Sequence, residues 1–265
     1  MRRGDPAETE AGGWPGELAI TWLGHATVLI ELHGARVLTD PVLRSHIRPL
    51  VRVAPASAGR DPVDCALLSD LHRDHADLPT LRSLARSGPL IVPPHARDWL
   101  LGKGISDVQE LAPSRAVTVG RLTVTATRGR HDPRRHPFGP IAQPLGYLLS
   151  SSLSVYFSAD TAALPEMADL RGLVDVALLP IAESRPRMGR RRMGHRRLDP
   201  EGAAAAVALI NPSVVIPIQW GTFALGGVPG RRSGHAAVQE FAAHARRYAP
   251  RVEVCILKRS ERIVL

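Results

Sequence analysis

The sequence predicts an α/β protein in which two β-sheets pack together and helices lie outside them. Two observations carry that expectation. Short β-rich runs recur through all 265 residues, and both halves mix strand hairpins with crossover helices. Polar residues also recur at the ends of those runs, at Asp70, His131, Asp160 and Gln219. Layered α/β folds gather their chemistry at strand ends.

The elements follow in order. After a Gly/Pro/acid-rich leader over 1–17, "ELAITWLGHATVLIEL" gives two strands broken at Gly24-His25, and "ARVLTDPVL" gives a third ending at Asp40-Pro41. Residues 42–62 are Arg/Pro-rich and read as a long loop with one helical turn. "VDCALLSD" is a short apolar strand, and "DLPTLRSLARSG" has the leucine spacing of a helix closed by Gly88. "PLIVPP" reads as a strand, "HARDWLLGKG" as a helix ending in glycine, and "AVTVGRLTVTATRG" as a hairpin turning near Gly120. "LGYLLSSSLSVYFSAD" is a strand pair, "TAALPEMADLRGL" is helical, and "VDVALLPIAE" is a buried strand. Asp199-Pro200 is a strong helix start for "EGAAAAVALI". The strand "SVVIPIQWG", the helix "HAAVQEFAAHARRY" and the strands "VEVCIL" and "RIVL" complete the chain.

Length and 44% hydrophobic content suit a globular domain with a substantial core. Residues 1–17 are expected to be a flexible leader and 18–265 a single domain. The N-terminus lacks the apolar run of a secretory signal, and no segment has the length of a membrane span. Cys65 and Cys255 have no close-paired motif, which argues against a disulfide framework and for the cytoplasm.

Charge is concentrated. The stretch "RPRMGRRRMGHRR" at 185–197 holds seven arginines and no acid, most of the formal +9. Guanidinium groups suit phosphate and carboxylate, so the segment reads either as a solvated loop or as an anion-binding rim. Aromatic content is 4% and none lies in the run, so base stacking has no support and a nucleic-acid partner is not expected.

The densest chemistry is "SDLHRDH" at 69–75. In an extended segment residues 70 and 72 face one side, and Asp74 and His75 follow at the turn into a helix. Four potential ligands from one loop suit a metal centre, because buried charges need a partner or an ion.

This pattern resembles the Ser-His-x-His-x-Asp-His motif of the metallo-β-lactamase superfamily. "TWLGHATVLIEL", "RVLTDPVL", "SDLHRDHADLPTL", "RGRHDPRRHPFGP", "VYFSADT", "VDVALLPI", "LDPEGAAAA" and "IPIQWGTF" run in the same order as in its branch containing ascorbate-6-phosphate lactonase and N-acylphosphatidylethanolamine phospholipase D. The resemblance implies an αββα sandwich, metals at the sheet edges and hydrolysis by a metal-bound hydroxide. It implies a first metal position from Asp70, His72 and His131, and a second from Asp74, His75 and Gln219, with Asp160 bridging. Asp74 doubles as the catalytic group that orients water or takes a proton.

The chain departs from that pattern at four places. Asp70 and Gln219 stand where the pattern has ligand histidines, Ala159 where glycine is common, and Arg197 where a histidine is expected near His195. Aspartate ligates zinc and suits manganese better, whereas the glutamine amide is a weak partner. The expected cofactor is therefore a divalent metal, zinc or manganese, with one tight position and one weak. His25, His136, Arg190, Arg191, Arg192 and His195 are expected to face substrate.

The expected activity is hydrolysis of a small anionic ester, lactone or phosphodiester. The alternative is a catalytically weakened member that binds an anionic ligand or partner through the arginine-rich loop.

Overall fold

A computed structural model of the chain describes residues 9–10, 18–47, 49–53, 61–181, 198–225 and 234–265. The first half supplies β1 (Thr9–Glu10), β2 (Leu18–Gly24), β3 (Thr27–Leu32), β4 (Ala35–Thr39), β5 (His46–Ile47), β6 (Leu50–Arg52), β7 (Cys65–Leu67), α1 (Leu78–Ser83), β8 (Leu90–Val92), α2 (Arg97–Leu101) and β9 (Val108–Glu110). The second half supplies β10 (Ala116–Val119), β11 (Leu122–Arg128), β12 (Leu145–Ser150), β13 (Ser154–Phe157), a 3-10 turn at Pro165–Leu170, β14 (Val176–Pro180), α3 (Pro200–Ile210), β15 (Val214–Ile218), β16 (Phe223–Leu225), α4 (Gly234–Tyr248), β17 (Glu253–Val254) and β18 (Arg262–Val264).

Two large sheets result, ordered β1-β18-β2-β3-β4-β7-β8-β9 and β10-β11-β12-β13-β14-β15-β17. Alternate residues of β2 and β3 (Leu18, Ile20, Trp22, Val28, Ile30) pack in one core with Val124, Tyr147, Phe157 and Leu178 of the other sheet. The period-two alternation of side chains sets that division of faces. On the far side of the first sheet, Leu68, Leu90 and Val92 pack with Leu81 of α1 and Leu100 of α2. On the far side of the second, Ala204, Val207 and Ile210 of α3 and Phe241 of α4 join Val215. The layers are helix, sheet, sheet, helix, the αββα sandwich.

Local chemistry explains the helix ends. Asp77 caps α1, accepting from Thr80 N at 3.2 Å and Thr80 Oγ1 at 2.6 Å, with Arg44 bound to both carboxylate oxygens. Asp199 caps α3 with Pro200 in its first turn, and Asn211 closes that helix in the left-handed conformation.

Several expectations need correction. Helix α1 ends at Ser83 rather than at Gly88, because Ala85 and Ser87 hydrogen-bond to Val63 instead of continuing the helix. Gly88 is needed for close approach: a Cβ there would lie 2.3 Å from the Asp64 carbonyl oxygen. "TAALPEMADLRGL" forms only the 3-10 turn. The described part of 42–62 carries β5 and β6, which join β16 in a three-stranded sheet. Within the leader, β1 pairs in parallel with β18. The short strands β9 and β16 had no sequence expectation.

Candidate metal centre

Every donor of the centre sits at the end of a strand, on one edge of the sandwich. The β2–β3 turn presents His25, the end of β4 presents Asp40, and the loop after β7 presents Ser69 through His75. The second sheet contributes His131 after β11, Asp160 after β13 and Gln219 after β15. Two hydrogen bonds tie the sheets together here: Leu145 N donates to Ser69 O at 2.9 Å, and Tyr147 Oη donates to Leu68 O at 2.7 Å.

The backbone is unusual at this edge. His25, Asp40, Ala159 and Gln219 have φ of 52°, 36°, 53° and 64°. Such left-handed residues persist only when their surroundings hold them, and they concentrate at functional sites. His25 is held by three backbone contacts: its N–H donates to Thr222 Oγ1 at 2.7 Å, and its carbonyl accepts from Trp22 Nε1 at 2.9 Å and Gln219 N at 3.1 Å. Glycine would adopt the positive φ of Ala159 at no steric cost.

The loop 70–75 is shaped by its own hydrogen bonds. Asp70 Oδ1 accepts from His72 N at 2.7 Å, and His72 O accepts from Ala76 N at 2.8 Å. The Arg135 guanidinium, stacked over Trp99 at 5.0 Å, donates to the carbonyls of Leu71 and Ala76 and clamps the loop from outside.

Three donor groups emerge, each with ligand atoms within 4.8 Å of one another: Asp70, His72 and His131; Asp70, His75 and Asp160; and His25, Asp74 and His75. Asp160 Oδ2 lies 3.4 Å from His75 Nε2 and 3.5 Å from His131 Nε2, between the first and third groups. Asp70, Asp160, His75 and Asp40 are almost wholly buried. Buried carboxylates at this density require positive charge. Burial opposes charge on His75, yet Asp70, Asp160 and Asp40 together raise its pKa well above the ordinary histidine value. Burial likewise acts against charge on His72, but Asp70 raises its pKa. His75 Nε2 is buried and faces Asp160 Oδ2 at 3.4 Å, while His75 Nδ1 is fixed on Asp40 Oδ2 at 2.6 Å. An imidazole anchored on one carboxylate with its other nitrogen turned toward further ligand-type atoms is the arrangement of a metal ligand. The donor set fits a divalent cation.

Asp40 and Ser69 have no place among the expected site residues. Ser69 holds Asp40 through its N–H at 2.8 Å and its hydroxyl at 2.6 Å, so the carboxylate cannot rotate away from His75. The acid ending a strand in "LTDP" was the available signal.

Other expectations meet varied outcomes. His136 lies at the rim, stacked on His72 with centroids 6.3 Å apart and bound to Asp132 Oδ2 at 2.8 Å. That hydrogen bond lowers the Asp132 pKa to about 2. Gln219 reaches the edge, but both amide atoms of its side chain are buried without a hydrogen-bond partner. Arg190, Arg191, Arg192 and His195 lie outside the described residues. A cavity of about 390 Å³ is lined in part by Arg44, His46, Arg73 and Arg135, together with Asp77, to which Arg44 is bound, and by none of the candidate ligands. No helix among the described residues is long and apolar enough to cross a membrane.

Comparison with known proteins gives the family and the fold. Residues 35–220 match the family described as Beta-lactamase superfamily domain. A metal-dependent hydrolase of Methanopyrus kandleri is 33% identical over 213 residues, covering 78% of this chain and 85% of its own. An uncharacterized protein of Mycobacterium tuberculosis is 30% identical over 238 residues, covering 80% of this chain, which spans 61% of that longer protein. A metallo hydrolase of the archaeon Ignicoccus hospitalis shares the fold with a TM-score of 0.67 at 21% identity, covering 94% of this chain and 98% of its own.

Proposed function

The chain belongs to the β-lactamase superfamily, and from that premise we propose that it is a metal-dependent hydrolase of a small anionic ester, lactone or phosphodiester. The observation that carries the reading is the convergence of Asp70, His72, Asp74, His75, His131 and Asp160 on one strand-end edge, with buried carboxylates that call for a cation. Zinc and manganese both suit this mixed imidazole–carboxylate set. A bound divalent ion supplies Lewis acidity and lowers the pKa of a coordinated water, to about 7 in favourable cases.

The protein's own groups do the rest. Asp40 and Ser69 hold the His75 ring in one orientation, with Nε2 directed at Asp160. Asp160 stands between His75 and His131 and is the shared carboxylate of the two positions. Asp74, with its side chain 17% exposed, is the acid that orients the attacking water and accepts its proton. His136, at the rim, is placed to meet substrate. Exposed Arg73, inside the ligand loop, and the arginines of the 185–197 run favour an anionic substrate.

Asp70 and Gln219 support unequal affinities, with a tight first position and a weaker second. A specific observation also keeps the weakened-binder reading in view: the Gln219 amide is buried at the edge with no hydrogen bond. Elemental analysis after dialysis without chelator, followed by assays on phosphodiester, ester and lactone panels with Zn²⁺ or Mn²⁺, separates the two. Retained metal and metal-dependent turnover are expected. Metal without turnover on any panel favours the binder, and no metal at all sinks both metal readings. Replacing Arg190, Arg191 and Arg192 by alanine should reduce the salt sensitivity of apparent affinity, since exposed attraction is screened over ~10 Å at 0.1 M salt.

A further inference from the structure

We propose that His25 is a ligand of the second metal ion and takes the coordination place that the resemblance gives to position 219, where this chain offers only a neutral amide. This rests on the two-position metal reading above and names a residue outside the ligand set implied by the resemblance.

The ligand atoms of His25, Asp74 and His75 lie within 4.8 Å of one another, the same closeness shown by the groups around Asp70. His25 Nε2 is buried without a hydrogen bond, and Asp74 Oδ2 stands 3.3 Å from it. That separation leaves two ligand atoms side by side, facing the same point as His75.

The ring is also held in place. Its backbone is fixed on Thr222, Trp22 and Gln219, as described above, and none of those bonds uses the imidazole. The ring packs edge-on against His75 on one side and Phe223 on the other, each with centroids 5.2 Å apart. Phe223 belongs to the small third sheet, where the Arg52 guanidinium sits 5.3 Å from its ring centre. Gly24, at φ 111°, lets the turn approach that layer: a Cβ there would meet Arg52 Nη1 at 2.8 Å and Thr222 at 2.9 Å. A ligand held by packing before the ion arrives loses little freedom on binding it.

The neighbouring strand end explains why the substitution works sterically. Gln219 N donates to His25 O, so the two residues are adjacent across the edge. An imidazole can therefore move from one strand end to its neighbour while serving the same ion. A purely structural His25 would serve as an ion-pair partner for Asp74 and would leave metal content unchanged when removed.

The test uses full-length protein stripped of metal and titrated with Co²⁺, read by visible absorption and by elemental analysis. The wild type should show two binding phases. His25→Ala should keep the first phase and weaken the second by at least about a hundredfold, the upper end of what losing even an outer-shell partner costs. Gln219→Ala should affect the second phase far less. The double variant His25→Ala, Gln219→His should regain it, and the first phase kept by His25→Ala shows that the alanine variant's fold is intact. A His25→Ala protein that retains the second phase, or loses both phases together, overturns the proposal. So does a Gln219→Ala protein that loses the second phase as fully. One ion in both wild type and His25→Ala overturns the role of His25 while leaving the metal reading intact. No Co²⁺ binding by the wild type overturns the metal reading itself.

Discussion

The two sheets furnish the centre in opposite ways. The first delivers Asp70, His72, Asp74 and His75 from one short loop, whose shape is set by local hydrogen bonds and the Arg135 clamp. The second delivers His131, Asp160 and Gln219 singly, each from a different strand end. The loop donors are therefore set by short-range hydrogen bonds closed by the distant partners Arg135 and Asp40, and the second set by sheet register. A defect in the loop should damage its own donors, whereas a defect in the second sheet should damage what the two positions share.

The largest effect should come from Asp160, the proposed shared ligand, whose Oδ2 lies 3.4 Å from His75 Nε2 and 3.5 Å from His131 Nε2. Asp160→Asn should weaken both ions by about a hundredfold or more, because a charged shared ligand is lost. Co²⁺ titration checks this, and retention of either ion at native affinity would remove Asp160 from the shared role.

A smaller effect should follow loss of charge behind a loop ligand. Asp40→Asn keeps the shape but removes the carboxylate that anchors His75, and should cost the second ion about tenfold in affinity. The sign of the accompanying titration is fixed. Asp40 favours protonated His75, so its loss should move the His75 titration in metal-free protein to lower pH. Proton NMR of the imidazoles measures the shift, and movement to higher pH would contradict the assigned electrostatics.

Below that lies a change in the first sheet that should spare the metals. Asp77→Ala removes the α1 cap and the Arg44 contact, and should cost about 1–2 kcal/mol of stability. Denaturant melts report the loss, and unchanged metal stoichiometry would show that the Arg135 clamp and local bonds hold the loop without the helix cap.

The smallest effect belongs to the second sheet. Ala159 at φ 53° carries a left-handed strain of about 1 kcal/mol. Ala159→Gly relieves it but adds unfolded-chain entropy, so stability should rise by at most about 1 kcal/mol. A clear loss of stability would mean that the alanine methyl makes packing contacts worth more than the strain.

Much of this architecture was legible beforehand because it is written in local signals. The leucine and valine runs marked strands β2, β3, β7, β8 and β14, and Asp199-Pro200 marked the start of α3. The donors Asp70, His72, Asp74 and His75 stood out because one loop carries them all. Failures fell where distant contacts override local preference. The helix toward Gly88 stops early because Val63 captures its backbone, and β5, β6 and β16 are strands only because they pair with one another.

By itself the sequence determined the layer type, the strand-end placement of polar residues and the loop that gathers four donors. Those features follow from side-chain periodicity and capping chemistry, which act over a few residues. Tertiary structure alone decided that Asp40 anchors His75, that Asp160 lies between His75 and His131, and that His25 faces Asp74. Each of these joins residues far apart in the chain, and their meeting depends on sheet register, left-handed turns and the packing of Phe223 against His25. Such contacts have no local signature, because the energy that fixes them comes from burial shared across both sheets.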